Sequence, residues 1–359
     1  MNEVQDLGCR ILAISIDVRE SKIHIGTTLG FRAWDTNSSN AVFKYDLQKG
    51  INFPGGFSLI CNVPNSNTTL LVASVLNQRQ NPNTLYYWNE DSKGISDEKN
   101  FDYKILNILA RYDKIVVICE NIIFIYSYPD NQQLKLIRIE GNSYGACAIS
   151  YEGEFILATT TQIGQIRIEN IDSGEIRQNP MHENPIVYIA LNSDSRMGAS
   201  ASEQGTLIRV FDCNSLAVLH ELRRGNTPSR ISTIAFGQSF VIAANTKNTV
   251  HLWDIDGDQS GSYFGIKNYL PSYFTNKPSS CKLYLPNDAN WSCPFSKTNG
   301  PVIGIQNNEC ILIGSLSGVI YRCRYNRDNK AIEIESSATF LDLDTEFIIE
   351  GQRAWGNFS

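Results

Sequence analysis

Residues 197–212 read Met-Gly-Ala-Ser-Ala-Ser-Glu-Gln-Gly-Thr-Leu-Ile-Arg-Val-Phe-Asp. A short run of small and apolar residues meets a turn at Glu203-Gln204-Gly205. An apolar run follows, closed by an aromatic and an acid. Two such runs joined by a glycine-containing turn read as a β-hairpin. Working outward, the same pattern recurs at 22–35, 70–89, 114–127, 155–170, 240–254 and 310–325. Most neighbours stand about 40 residues apart, the period of propeller blades of four strands each. Seven copies predict an all-β chain forming a seven-bladed β-propeller, as one domain over residues 1–359. Residues 75–83 read as a loop inside the second blade. The strand near Arg10 to Ile16 is expected either to complete the last blade or to open the first.

Composition agrees. The chain is 42% hydrophobic, enough for a large core, and carries 16 Tyr and 16 Phe, which favour strands. The segment from Met1 to Leu7 is polar and acidic and has no signal-peptide pattern. No apolar run approaches the roughly 20 residues that span a bilayer. The nine cysteines are scattered without C-x-x-C spacing, so reduced thiols in a cytosolic protein are expected. A net charge of −6 argues against nucleic acid as a partner.

The chemistry gathers around Leu222-Arg223-Arg224-Gly225. Successive side chains on a strand point to opposite faces, so the two arginines suit two different pockets rather than one. A lone Arg-Arg pair at a strand end is ordinarily a solvated pair of surface charges. This pair has company. His182, Ser202, Thr206 and Arg209 precede it, and Thr227, Arg230, Thr246, Lys247, Thr249 and His251 follow. Guanidinium, hydroxyl and imidazole together are what phosphate oxygens require. If His251 touches phosphate, protonation near its ordinary pKa of about 6.5 would strengthen binding in acid.

Residues 257–279 are a second informative stretch. A long insertion in a repeat, rich in Tyr, Phe and Leu with Lys, suits a membrane interface. A packed Ω-loop is the alternative. Enzymatic signals are few. Gly314-Ser315-Leu316-Ser317-Gly318 has leucine where a nucleophile elbow needs serine, and it sits in a hairpin. There is no P-loop, no dinucleotide fingerprint and no metal-ligand spacing. No catalytic residues, metal or cofactor are expected.

Gly205 to Asp212, Leu222-Arg223-Arg224-Gly225 and Thr249 to Trp253 together resemble the PROPPIN family. These are WD40-like seven-bladed propellers that bind phosphoinositides in autophagy. The family's motif is Phe-Arg-Arg-Gly, with Leu222 here in place of Phe. Asn142 to Ile149, Met181-His182, Gly30-Phe31-Arg32 and Phe340-Leu341 match it more weakly.

The resemblance implies two headgroup sites. The first is Ser202, Thr206, Arg209 and Arg223, with His182. The second is Arg224, Thr246, Lys247, Thr249 and His251. It implies phosphatidylinositol 3-phosphate and phosphatidylinositol 3,5-bisphosphate as ligands. It also implies a membrane-inserting loop carrying Tyr263, Phe264, Ile266, Tyr269, Leu270, Tyr273 and Phe274. Autophagy proteins, among them a lipid-transfer protein, are the implied partners of a monomer. Its implied place is cytoplasmic, peripheral on autophagosome-precursor, endosomal or vacuolar (lysosomal) membranes. A propeller that only binds proteins is the competing reading.

Overall fold

The computed structural model describes residues 10–36, 55–76, 81–255, 276–286, 299–306 and 310–339. Every regular element among them is a strand, and the strands form seven sheets, one per blade, antiparallel but for one short parallel edge strand on blade five. Each hairpin read from the sequence is an adjacent antiparallel pair within one sheet. Examples are Lys22–Thr27 with Gly30–Asp35, Met197–Ser202 with Leu207–Asp212, and Cys310–Gly314 with Val319–Asn326. Residues 75–83 do connect two strands of blade two, with 77–80 outside the described residues.

The first strand of each blade lies innermost, packed against the first strands of its neighbours. Ile11–Asp17 opens the first blade, pairing with Lys22–Thr27, and packs beside Val302–Gln306 of the last. Side chains close this seam: Ile11, Ile14, Ile23 and Ile25 meet Ile320, and Gln306 Nε2 donates to Ser21 Oγ at 2.7 Å.

Both faces of a blade are buried, because each lies against a neighbouring blade. On Leu207–Asp212, Ile208 and Val210 enter the seam with blade six, whereas Phe211 enters the seam with blade four. An apolar cluster fills each of the seven seams. Burying a side chain such as Phe211, fully enclosed here, contributes roughly 1.5–3 kcal/mol. The fit is close: a Cβ on Gly198 would stand 2.3 Å from the Phe211 ring.

The described cysteines are free thiols, buried or half-buried. Burial pushes Cys147 and Cys323 up to about 12, so these two stay protonated and unreactive.

Candidate functional site

The site is built where the turns of blades four and five press on the linkers that follow. Gly164 and Gly205 both have positive φ, +71° and +58°. A Cβ would stand 1.7 Å from the His182 carbonyl oxygen at Gly164, and 1.9 Å from that of Ser229 at Gly205. Only glycine permits both the backbone conformation and the approach. The two turns thereby fix residues 181–185 and 224–230, the linkers that carry His182 and Arg224.

The face of blade five toward blade four holds the first group. Across the ladders, Ser200 is level with Arg209, Arg209 with Glu221, and Leu207 with Arg223. Level residues share a face, so Arg209, Arg223, Ser200 and Glu221 lie together. Arg209 Nε donates to Glu221 Oε1 at 2.8 Å, and Nη1 donates to the Met181 carbonyl at 2.6 Å. Nη1 also meets His182 Nδ1 at 3.2 Å, and His182 Nε2 meets Ser200 Oγ at 2.9 Å. Because Nδ1 accepts from a guanidinium, Nε2 carries the ring proton and donates to the serine. Burial, then the Arg209 charge, lowers His182 to about 3, so the imidazole is neutral. Arg223 is half-buried and reaches Asn226 Oδ1 at 3.4 Å. Ser202 is buried, and the Thr206 carbonyl accepts from the Arg224 amide at 2.9 Å.

Arg224 turns to the other face, toward blade six, as strand alternation requires. It is only 7% exposed. Nε donates to the Gly205 carbonyl at 2.8 Å, and Nη2 donates to the carbonyls of Thr227 and Ser229. Each of these acceptors is a neutral carbonyl. Burial lowers its pKa from the ordinary arginine value, which leaves it charged at neutral pH.

Nearby, His251 stacks on Trp253 at 5.8 Å between centroids. His251 Nδ1 meets Ser279 Oγ, and Nε2 meets Thr249 Oγ1, both at 3.4 Å. Burial, then the charges of Lys282 and Arg224, lowers His251 to about 4. The acid enhancement expected from an ordinary histidine therefore does not apply to the ligand-free protein. Thr246 turns away from His251: its Oγ1 meets Ser229 Oγ at 3.2 Å, and it lines a surface depression of about 530 Å³ beside Arg230 and Tyr144. Lys247 is exposed at the tip of the same turn.

Residues 276–284 run along the outer edges of blades five and six. Lys277–Pro278 adds to the outer edge of blade five in parallel, with Leu222 level with Lys277 and Arg223 with Pro278. Cys281–Tyr284 then forms the outer strand of blade six, with His251 level with Lys282. Between them Ser279 bonds His251, and the Ser280 amide donates to the Leu252 carbonyl at 2.7 Å. Asn276, just before this bridge, is 6% exposed, and neither its Oδ1 nor its Nδ2 has a hydrogen-bond partner. Such a group costs about 1–3 kcal/mol. The loop residues Tyr263, Phe264, Ile266, Tyr269, Leu270, Tyr273 and Phe274 lie outside the described residues.

The family model named PROPPIN matches residues 14–290. The chain belongs to the PROPPIN family. Over 350 residues this PROPPIN is 23% identical to autophagy-related protein 18e of Arabidopsis thaliana, covering 94% of this chain and 90% of that protein. It is 27% identical to WD repeat domain phosphoinositide-interacting protein 1 of Xenopus laevis, over 64% of this chain and 57% of that one. In structure it resembles Hsv2 of Kluyveromyces lactis, with TM-score 0.70 and 17% identity over 92% of this chain and 99% of that one. It also resembles KlAtg21, solved in complex with the coiled coil of AgAtg16. There the TM-score is 0.73 and the identity 18%, over 92% of this chain and 99% of that one. At these identities the structural likeness shows the fold.

Several polar residues of the PROPPIN site escape a reading of the sequence. Glu221 was legible in principle, since a hairpin places it opposite Arg209. Ser279, Lys282 and Asn276 were not, because a long insertion separates them from the strands they join. Among the described residues, no three His, Cys, Asp or Glu side chains are grouped to hold a metal ion.

Proposed function

We propose that this PROPPIN reads 3-phosphorylated phosphoinositides on membranes and recruits autophagy proteins to them. The observation that carries the reading is Arg224. A buried guanidinium held by neutral carbonyls keeps a charge that no carboxylate answers among the described residues, and desolvated charge seeks an anion. A second arginine, Arg223, stands on the opposite face of the same strand, beside Arg209. The names of the relatives point the same way, toward phosphoinositides and autophagy.

The ligands are phosphatidylinositol 3-phosphate and the 3,5-bisphosphate. Arg209, Arg223, Ser202, Thr206 and His182 take one headgroup; Arg224, Thr246, Lys247, Thr249 and His251 take the other. A neutral His182 or His251 serves phosphate as a hydrogen-bond donor rather than as a cation. Each charge-assisted bond is worth roughly 1.5–3 kcal/mol, so a single pocket gives modest affinity. Two pockets and an inserted loop act together if all reach one bilayer plane, which sets blades five and six against the membrane. The loop expected at 257–279 is shortened at its end, because residues 277–279 belong to the edge of blade five and the bridge to blade six. The protein is then a cytoplasmic monomer, peripheral on autophagosome-precursor, endosomal or vacuolar membranes. Its partners are autophagy proteins, a lipid-transfer protein among them; the KlAtg21 complex with a coiled coil gives a precedent for a protein partner on this fold.

Co-sedimentation with liposomes, with and without phosphatidylinositol 3-phosphate, tests this. Lipid-dependent binding should weaken in Arg223→Thr and in Arg224→Thr and vanish in the double variant. Binding indifferent to lipid and to both arginines would leave a propeller that binds only proteins.

A further inference from the structure

The polar row on blade five continues past the strands that form the blade. Ser200 is level with Arg209, and Arg209 with Glu221. In the parallel ladder Leu222 is level with Lys277 and Arg223 with Pro278. Asn276 is the bend residue just before this two-residue strand, and continuing the register by one would set it beside Glu221, toward the face of Arg209 and Arg223. It arrives there buried, with both amide atoms unpartnered. Buried polar groups are almost always satisfied, and an orphan beside a cationic pocket is a group in wait of a ligand.

Resting on the headgroup reading above, we propose that Asn276 is a further ligand-recognising residue of the first pocket. It selects a phosphorylated polyol with a free hydroxyl beside the phosphate. The chemistry follows from the carboxamide, whose Nδ2 donates and whose Oδ1 accepts. A sulfate dianion only accepts and would leave Oδ1 open. A polyol monophosphate offers both partners, a phosphate oxygen for Nδ2 and a neighbouring hydroxyl for Oδ1. Asn276 would thus separate an inositol phosphate from a bare tetrahedral dianion without a hydroxyl, a distinction that arginine alone does not make.

The test uses the full chain carrying Arg224→Thr, so that only the first pocket is read. It is titrated by calorimetry with soluble inositol 1,3-bisphosphate and, separately, with sulfate, an acceptor-only dianion. No bilayer is present, so an effect on the loop's membrane contact does not enter. Asn276→Leu should lower affinity for the inositol phosphate about tenfold, the worth of one good hydrogen bond. It should leave sulfate affinity unchanged, and the melting temperature should hold or rise because a buried orphan amide is gone. Asn276→Asp, of equal size, sets a carboxylate against the phosphate and should abolish binding while the protein still melts cooperatively. Wild-type inositol phosphate affinity in either folded variant overturns the proposal. Arg223→Thr is the control for the underlying reading. Loss there with retention in Asn276→Leu sinks only the role of Asn276; no dependence on Arg223 sinks the headgroup reading with it.

Discussion

Arg111 and Arg224 are both buried, at 3% and 7% exposure, and they live in opposite electrical surroundings. Arg111 grips Asp113 with two bonds, Nε to Oδ1 at 2.6 Å and Nη2 to Oδ2 at 3.0 Å, and gives Nη1 to the Gly153 carbonyl. The Asp113 bond raises its pKa against the pull of burial. Burial pushes Asp113 up, yet bonds from Arg111 and Lys114 bring it down to about 2. That charge is answered inside the fold. Among the described residues Arg224 meets carbonyl dipoles and no carboxylate, and burial lowers its pKa. The difference separates a guanidinium that holds the structure together from one that the structure holds ready.

The largest effect should come from removing the two arginines at the end of their strand. Arg223→Thr with Arg224→Thr should cut affinity for lipid-bearing liposomes by more than about 100-fold, the loss of several charge-assisted bonds. Retained affinity would end the distinction. Next, Arg111→Met should destabilise by about 1–3 kcal/mol, because Asp113 loses two charge-assisted bonds and keeps only Lys114. Arg224→Met should cost about 1 kcal/mol, since only neutral carbonyls lose a donor. Denaturant melts of both variants sharpen the comparison, and equal costs would make Arg224 structural too.

A smaller effect concerns pH. His182 and His251 have folded pKa values of about 3 and about 4, below the unfolded value. As pH falls past about 6.5 the unfolded chain takes up protons that the folded chain refuses. The stability these two confer is therefore complete above pH 6.5 and declines as pH drops toward 4 and 3. At pH 5 the loss should be about 1–2 kcal/mol for each histidine. Melting at pH 7 and pH 5 reads it, and His182→Gln with His251→Gln should flatten the difference. The smallest effect belongs to Lys282, exposed and level with His251. Lys282→Ala should weaken liposome binding about threefold, as a screened surface cation would. A loss as large as that of Arg224→Thr would move the centre of the second pocket outward.

Much of this arrangement was legible before any coordinates. The recurring hairpin gave the blades, since a strand pair ending in an aromatic and an acid needs a seam to bury the aromatic, as Phe211 and Trp253 do. Alternation alone placed Arg223 and Arg224 on opposite faces. Ring closure was not legible, because a strand such as Ile11–Asp17 fits the edge of either terminal blade. The histidines misled because burial is a property of neighbours: Trp253 stacked on one side and Lys282 across the ladder hold His251 neutral. Asn276 was invisible because its partner strand is more than fifty residues upstream, an order of separation that local patterns do not carry.

The bridge from Lys277 to Tyr284 is anchored on blade five at Leu222 and on blade six at Leu252. It works as a spacer bar between the face that carries Arg223 and the face that carries Arg224. Under the two-headgroup reading proposed above, two lipids held at once would sit at one fixed pitch in the plane of the bilayer. At low lipid density the chance of finding such a pair would rise as the square of that density. On that reading the protein would count lipids rather than merely detect them, settling where they crowd.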